Sequence, residues 1–284
     1  MDQERRSQRE MMQENEKQAR TTYTNAQAKA AMSRRDNKAS KLRVELTDPR
    51  KSNYFYEEAL KTLRTNIQFA GADIKTILVT SCFPNEGKSD ITLSLAQELS
   101  SIGKKVLLID GDIRKSDFVI RLGIEQEVYG LSQFLSGQSE IKDIIYSTNY
   151  PNMHIIFGGP VAPNPSGLLS EDLFRTFMKE IRNYYDYIIV DTPPIGSVID
   201  AAVIARYCDG GIFVVEPGVV SYKMAQKCIR QMEKSGCRLL GAVMNKVDTK
   251  RDKYYSSYYK HYGGYYQKLA ETEQIDNAQY EKAG

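Results

Sequence analysis

A strand, a turn and a helix are encoded in succession by residues 76–99, and Gly-Lys-Ser lies where the helix begins. The β-branched run TILVTS leads into the turn CFPNEG, and a helix-forming run starts at Lys88. In such a unit, the backbone N–H groups of the turn and of the first helical turn favour a bound phosphate. The segment therefore predicts a phosphate-binding loop between a buried strand and a helix.

The residues of this loop predict how a nucleotide would be held. Lys88 would neutralise charge on the β- and γ-phosphates, and the Ser89 hydroxyl would ligate Mg²⁺. Cys82 stands where the strict pattern G-x-x-x-x-G-K-[ST] has glycine, so an ordinary turn before a helix is the alternative for the loop taken alone. The predicted nucleotide-binding residues of the loop are Pro84, Asn85, Glu86, Gly87, Lys88, Ser89 and Asp90.

Three aspartates follow apolar runs further along the chain. Asp110 and Asp112 end the run VLLIDGD, and Asp191 ends the run YIIVD. The carboxyl ends of parallel strands meet in one crevice, so these carboxylates are expected near the phosphate loop. Because Mg²⁺ keeps several waters and takes few protein oxygens, we predict a metal site formed by Ser89, Asp110 and Asp191. Helix capping or turn formation is the alternative role of each aspartate.

Short apolar runs alternate with amphipathic segments of helical length between residues 54 and 248. The runs are KTILVTS (75–81), KVLLIDGD (105–112), MHIIFGG (153–159), YIIVDTPP (187–194), GGIFVVEPG (210–218) and RLLGAVMNKVD (238–248). The helical segments are 54–70, 88–102, 167–184 and 220–235. Apolar strands that alternate with helices are typical of a parallel sheet covered on both faces. The sequence predicts an α/β fold with a doubly wound, mostly parallel sheet over residues 49–250.

Polar segments flank this predicted domain. Residues 1–40 contain no Leu, Ile, Val or Phe, so residues 1–48 are predicted to be a disordered or weakly helical arm. Residues 251–284 are predicted to be a flexible tail, because residues 252–268 contain seven tyrosines but no Leu, Ile or Val. These tyrosines are Tyr254, Tyr255, Tyr258, Tyr259, Tyr262, Tyr265 and Tyr266.

The composition excludes several classes of function. A formal net charge of +3 is too small to indicate nucleic-acid binding, so no nucleic-acid partner is expected. Four widely spaced cysteines and two isolated histidines argue against a disulfide scaffold, a zinc site and a histidine-based triad. The sequence contains no apolar run of about 18 residues and no secretory signal, and we expect a cytoplasmic protein.

Five features in this order resemble the bacterial tyrosine kinases (BY-kinases), whose P-loop fold is related to MinD-like ATPases. SCFPNEGKSD, LLIDGDIRKS and YIIVDTPP resemble their Walker A, Walker A′ and Walker B motifs. EEALKTLRTNI resembles their oligomerisation helix, with Glu58, Lys61 and Arg64 in register. GGPVAPNPSGLL resembles their Pro-Asn-Pro-Ser loop, and the tyrosine cluster completes the set. The resemblance covers about residues 50–266. It does not include residues 1–45, for which a natural polar arm and a fused segment that activates the kinase are the two alternatives.

The resemblance implies ATP-dependent autophosphorylation of the seven tail tyrosines, with Mg²⁺, in the regulation of capsule or exopolysaccharide synthesis and export. Lys88 and Ser89 match the Walker A lysine and the metal-ligating hydroxyl, and Asp191 matches the Walker B aspartate. One of Asp110 and Asp112 is expected to orient or deprotonate the tyrosine hydroxyl. Arg114 is expected to stabilise charge on the transferred phosphoryl group, with a solvated position at a helix start as the alternative.

The resemblance also implies partners. They are a homo-oligomeric ring with Glu58, Lys61 and Arg64 at its interface, a transmembrane polysaccharide chain-length modulator that activates the kinase, and a cognate tyrosine phosphatase. The modulator would place the protein at the inner face of the cell membrane. Transfer is expected mainly between subunits of the ring, because a flexible tail reaches a neighbouring site at high effective concentration.

Two positions depart from the pattern of the family, and a third invites a different nucleotide. Asp90 follows Ser89 where a hydroxyl often helps to hold the α-phosphate, so it is expected to point away or to cap the helix. Lys61 replaces an arginine and loses its bidentate fork. Asn245 is predicted to lie near the nucleotide base. It is the first residue of NKVD, which also matches the guanine-recognition pattern of GTPases. Because the family resemblance favours ATP, we expect ATP rather than GTP as the nucleotide.

Three other functions compete with the kinase hypothesis. A MinD- or ParA-like ATPase without kinase activity would carry a lysine five residues before Lys88, but Phe83 stands there. A tail that stacks on single-stranded nucleic acid would leave the nucleotide site unexplained. A tail that packs in a neighbouring subunit would take up no phosphate.

Overall fold

The computed structural model describes residues 42–47 and 54–247. Its strands are β1 (Arg43–Val44), β2 (Thr76–Ser81), β3 (Val106–Asp110), β4 (Tyr146–Thr148), β5 (Met153–Ile156), β6 (Tyr187–Asp191), β7 (Gly210–Val215) and β8 (Arg238–Met244). Its helices are α1 (Tyr54–Phe69), α2 (Lys88–Ser101), α3 (Phe118–Arg121), α4 (Leu131–Leu135), α5 (Ile141–Ile144), α6 (Pro165–Ser170), α7 (Asp172–Ile181), α8 (Asp200–Ala205) and α9 (Tyr222–Lys234).

The eight strands form one sheet in the order β1-β4-β5-β3-β6-β2-β7-β8. Every neighbouring pair is parallel except β4 and β5. The predicted doubly wound, mostly parallel sheet is therefore confirmed. All six predicted strands are present, whereas the short strands β1 and β4 were not predicted because two or three residues carry no readable periodicity.

Both faces of the sheet are covered, which explains why its strands are apolar throughout. Side chains alternate along β3: Leu107 and Ile109 belong to one core with residues of α4 to α9. Val106 and Leu108 belong to the second core, which includes Ile67 of α1 and residues of α2. A strand buried on both faces needs apolar residues at successive positions, and this is the pattern in the sequence.

The structure differs from the sequence interpretation in two places. The segment 167–184, predicted as one helix, is divided between α6 and α7 because Glu171 is extended, with φ −73° and ψ 155°. Residues 42–47, assigned to the polar arm, lie against the sheet: β1 pairs with β4, and Val44 and Leu46 are buried. Residues 1–41 of that arm and the predicted tail lie outside the described residues. Among the helices of the described part, none combines the length and the apolar character needed to cross a membrane.

Candidate functional site

The carboxyl ends of β2, β6 and β3 form the candidate site. β6 lies between the other two strands, and its Asp191 is in register with Val79 of β2 and with Asp110 of β3. The helix α2 begins at Lys88, directly after the loop that leaves β2. The topology thus brings the predicted phosphate loop and two predicted carboxylates to one edge of the sheet.

The Asp191 carboxylate is buried and accepts hydrogen bonds from three side chains of α2. Ser89 Oγ donates to Asp191 Oδ2 over 2.7 Å, and Lys88 Nζ lies 3.1 Å from the same oxygen. Thr92 Oγ1 lies 3.1 Å from Asp191 Oδ1 and 2.7 Å from the carbonyl oxygen of Lys88. Thr92 was not predicted; its position four residues after Lys88, on the same helix face, is the signal that the sequence offered.

Lys88 and Asp191 form an ion pair with little access to water. The lysine side chain is 14% exposed and that of the aspartate 2%. Burial lowers the pKa of Lys88, but the negative charges of Asp191, Asp112 and Asp110 raise it by more. The net shift is therefore upward, and Lys88 stays charged. Burial raises the pKa of Asp191, against the opposing effect of Lys88 and the three hydrogen bonds. A charged lysine beside a buried hydroxyl and carboxylate is suited to an anionic, metal-bound ligand.

A buried glutamate holds the phosphate loop from within. Glu86 is 1% exposed, and its Oε2 accepts the backbone N–H of Phe83 over 2.7 Å. Its Oε1 accepts the N–H of Glu216, just after β7, over 3.3 Å. Pro84 and Asn85 are exposed at the tip of the loop. Glu86 therefore fixes the path of the loop, rather than presenting its charge to a nucleotide.

The segment after β8 supports the loop from outside. Asn245 Nδ2 donates to the carbonyl oxygen of Glu86 over 3.0 Å, and Lys246 Nζ donates to that of Asn85. Gly87 has φ 84°, and a Cβ there would lie 2.0 Å from Asn245 Nδ2, so only glycine fits. Asn245, predicted to lie near the base, has its side-chain amide on the loop backbone. Asp248, which completes the NKVD pattern, lies outside the described residues.

Asp110 is a buried carboxyl group at the end of β3. Its Oδ2 accepts a hydrogen bond from Ser116 Oγ and, over 3.3 Å, from the N–H of Gly158. Its Oδ1 accepts the N–H of Asp112 over 3.1 Å. Burial, followed by the charge of Asp191, raises the pKa of Asp110 to about 7, despite these hydrogen bonds. The group thus titrates near neutral pH, unlike an exposed aspartate.

Asp112 and Arg114 organise the loop that follows β3. Asp112 is half-buried, and its Oδ1 accepts the N–H groups of Arg114 (3.2 Å) and Lys115 (2.9 Å). The Arg114 guanidinium forms a bidentate pair with buried Asp200 at the start of α8: Nε–Oδ2 is 2.5 Å and Nη2–Oδ1 is 2.9 Å. This hydrogen bonding raises the pKa of Arg114. Asp200 was not predicted, because nothing local in the sequence links residues 86 positions apart.

Asp90 faces away from the Lys88–Asp191 pair. Its carboxylate forms an ion pair with Arg121, the last residue of α3. From the sequence, Asp90 is expected to point away from a bound phosphate or to cap α2, and the N-cap position belongs to Gly87. The ion pair gives Asp90 a role in joining α2 to α3.

The predicted oligomer-interface residues lie along α1. Glu58 and Lys61 form an exposed ion pair with Oε1–Nζ at 2.7 Å. Arg64 instead binds Glu98 of α2, with Nη1–Oε1 at 2.5 Å, and both side chains are about one fifth exposed. Arg64 therefore fixes α1 on α2 within the chain, while Glu58 and Lys61 remain on the surface.

Protein side chains alone do not form a metal cage in the described part of the chain, where no three His, Cys, Asp or Glu residues converge. This fits Mg²⁺, which is commonly held by one or two carboxylates together with substrate phosphates and water. The donors at the site, a serine hydroxyl and two carboxylates, are hard oxygen ligands of the type this cation takes. The seven predicted phosphoacceptor tyrosines, Tyr254 to Tyr266, lie outside the described residues.

Comparison with a protein family and with known proteins gives the same class of fold. Residues 74–235 match the model of an AAA domain family. The solved structure of MinD from Pyrococcus horikoshii, complexed with Mg-ADP, has a TM-score of 0.55 at 25% sequence identity. That match covers 63% of this chain and 72% of the MinD chain. The chain therefore has a P-loop ATPase fold, and this fold implies nucleotide binding.

Kinases are similar to this chain over most of their length. "Tyrosine-protein kinase CpsD" of Streptococcus agalactiae serotype III is 43% identical, over 68% of this chain and 83% of that protein. The solved kinase domain of the Escherichia coli tyrosine kinase ETK has a TM-score of 0.63 at 31% identity. This structural match covers 68% of this chain and 77% of the ETK kinase-domain chain.

Replacement of the buried carboxyl group should alter how stability depends on pH. Because the pKa of Asp110 is about 7 when folded and about 3.9 in an unfolded chain, the wild-type protein loses stability as pH rises through this window. Asp110→Asn carries no such loss. Relative to its value at pH 5, the free energy of unfolding of the variant minus that of wild type should therefore rise by roughly 3 kcal/mol by pH 9. Urea unfolding at pH 5, 7 and 9 measures it.

The control is Asp117→Asn, since Asp117 is exposed and keeps its hydration. For this control the difference from wild type should be the same at all three pH values. A difference for Asp110→Asn that is equally large at pH 5 and pH 9 would contradict the assignment.

The Arg114–Asp200 pair should show measurable coupling. Asp200→Asn and Arg114→Gln should each lower the free energy of unfolding by about 1–3 kcal/mol, because each leaves a partner charge unpaired and Asp200 is buried. The loss in free energy of unfolding of the double variant should be smaller than the sum of the two single losses by more than about 0.5 kcal/mol. Urea unfolding of the four proteins gives the coupling. The exposed pair Arg43–Glu45, whose side chains are 59% and 71% exposed, serves as the control and should show almost no coupling energy. If the losses of Arg114→Gln and Asp200→Asn simply add in the double variant, the two residues do not stabilise the protein as a pair.

Proposed function

The chain belongs to the bacterial tyrosine-protein kinases of capsule synthesis, and from that premise we propose that it phosphorylates the tyrosines of its own C-terminal segment. The observation that carries the proposal is the Lys88–Ser89–Asp191 network beside Asp110. At the carboxyl edge of the sheet, this network would bind an anion together with a metal ion. The segment 254–266, with seven tyrosines, supplies acceptor hydroxyls.

The phosphate loop and α2 would bind the triphosphate of ATP. Backbone N–H groups of residues 84–89 and the positive end of α2 attract phosphate oxygens. Lys88 neutralises charge on the β- and γ-phosphates. Ser89, Asp191 and Asp110 would hold Mg²⁺, which supplies further charge neutralisation when bound. Binding of this kind lowers the barrier mainly by positioning and by electrostatic stabilisation.

The tyrosine hydroxyl needs a carboxylate that can accept its proton as the oxygen–phosphorus bond forms and ADP leaves. Asp112 suits this role, because it is half-buried and its known hydrogen bonds are both accepted by Oδ1. Asp110 is buried, with both oxygens hydrogen-bonded. We therefore assign the proton to Asp112 and metal binding to Asp110. Arg114 is a positioning residue here, since its guanidinium is held by Asp200.

The proposed partners follow from the family and from exposed residues. Glu58 and Lys61, exposed on α1, would contribute to a homo-oligomeric ring, while Arg64 supports α1 from within. A membrane-embedded chain-length modulator would activate the kinase and hold it at the inner face of the membrane. A tyrosine phosphatase would return the tail to its unmodified state. Through this cycle the chain would regulate capsule or exopolysaccharide synthesis and export.

Incubation with Mg²⁺ and ATP should place phosphate on residues 254–266, and mass spectrometry should detect it. Lys88→Met should reduce the rate at least about 100-fold, because it removes a positive charge from the phosphoryl group. The matched control Lys105→Gln removes an exposed lysine at the opposite edge of the sheet and should retain activity. ATP hydrolysis without tyrosine phosphate would instead support a MinD-like ATPase. Faster transfer from GTP would overturn the assignment of ATP.

Transfer between subunits should be visible when two inactive chains are mixed. One chain carries Lys88→Met with an intact tail, and the other has an intact site but lacks residues 252–284. Phosphate should appear on the tail of the Lys88→Met chain, because only the neighbouring site can supply it. If that tail stays unmodified in the mixture, while wild type is modified under the same conditions, transfer between subunits is wrong.

A further inference from the structure

One face of α9 carries four cations in a row. They are Lys223, Lys227, Arg230 and Lys234, here called the basic stripe, and all four are exposed. Their spacing of four, three and four residues places them within about 40° of one direction around the helix axis. At 1.5 Å per residue, the row is roughly 16 Å long. The opposite face of α9 is apolar, with Cys228 and Met232 buried in the core.

The cations of the stripe are not compensated by an ion pair with any residue in the described part of the chain. Among the described residues, none of the four takes part in an ion pair, and Arg230 donates only to Gln226 Oε1, over 3.1 Å. The one acidic residue of α9, Glu233, lies about a quarter turn away. The stripe, Gln226 and Gln231 line a shallow cavity of about 530 Å³. Four like charges side by side repel one another, and a multivalent anion would relieve that repulsion.

We propose that the basic stripe binds the tyrosine-rich segment 252–268 of the same chain once its tyrosines are phosphorylated. This inference rests on the proposed autophosphorylation. It assigns to α9 a role as the docking site of the phosphorylated product, separate from the crevice in which phosphate is transferred.

The described chain ends on the side of the sheet where α9 begins, within reach of this segment. α9 connects β7 to β8, which are parallel neighbours, so it runs back along the sheet and begins at the edge where β8 ends. The described chain ends at Val247, just beyond β8, and Tyr254 is seven residues further on. Seven residues span at most about 24 Å. Residues 254–266 can therefore reach Lys223 and the rest of the stripe without leaving their own subunit.

Phosphorylation reverses the charge of the segment and so makes docking conditional. Without phosphate, Asp252 is its single acidic residue against Lys253, Lys260 and Lys268, so it is cationic and is repelled by the stripe. Each phosphotyrosine adds about −1.5 to −2 charges, and two are enough to make the segment anionic. Phosphate oxygens form short, charge-assisted hydrogen bonds with lysine and bidentate ones with arginine. Docking would keep modified tyrosines out of the crevice and leave it open to unmodified ones.

Peptide binding to the full chain tests the proposal directly. A labelled synthetic peptide of residues 252–268, phosphorylated at Tyr254, Tyr258 and Tyr262, is titrated with wild-type protein without ATP, and fluorescence anisotropy gives Kd. We expect the Kd of the unphosphorylated peptide to be at least about tenfold higher than that of the phosphorylated peptide. The stripe variant combines Lys223→Gln, Lys227→Gln, Arg230→Gln and Lys234→Gln. It should raise the Kd for the phosphorylated peptide at least about tenfold. Glutamine preserves helix propensity, and circular dichroism confirms folding.

The matched control removes the same charge elsewhere. It combines Lys75→Gln, Lys104→Gln, Lys105→Gln and Lys179→Gln, and its Kd should stay within about twofold of wild type. Equal Kd values for the stripe and control variants would overturn the proposal, as would equal binding of the two peptides. Stripe-dependent binding to phosphatidylglycerol vesicles, without stripe-dependent peptide binding, would also overturn it and assign the face to lipid. Because the peptide is phosphorylated by synthesis, these outcomes are independent of whether the chain phosphorylates itself.

Discussion

The buried carboxylate of Asp191 is the constraint on which the site depends. It ends a central strand, where water cannot hydrate it, and an unpaired charge there would be very costly. Lys88, Ser89 and Thr92 supply the compensating charge and hydrogen bonds. All three lie in the first two turns of α2, so satisfying Asp191 also fixes how α2 begins. The geometry of the phosphate loop is therefore tied to the register between β2 and β6.

The loop is held from its other side by strands that come much later in the chain. β7 lies beside β2, and β8 lies beside β7, so their ends reach the loop. Glu216 donates its N–H to the buried Glu86, and Asn245 and Lys246 donate to loop carbonyl oxygens. The loop thus has a fixed path defined by both ends of the domain. Fixed backbone N–H groups are what an anion-binding loop needs in order to bind without reorganising.

Among the described residues, the crevice and α9 hold positive charge in two different ways. In the crevice, Lys88 and Arg114 face buried carboxylates, because a buried charge is tolerated only with a partner. On α9, the four exposed cations are hydrated and need no partner to be stable. The first setting suits a ligand that arrives with its own metal ion and is bound in a defined geometry. The second attracts flexible anions through a field that salt screens.

The fold class, the six principal strands and the loop with Lys88 and Ser89 can be read from the sequence, because these features depend on apolar runs and local spacing. The sequence also placed Asp110 and Asp191 at strand ends, and the parallel sheet makes those ends converge. The hydrogen-bond partners of Thr92, Asp200 and Asn245, in contrast, follow only from the folded structure. Strand order and helix packing set these partners, and they join residues that are 86 to 159 positions apart in the sequence. A sequence records which groups are present, whereas burial decides which of them must pair.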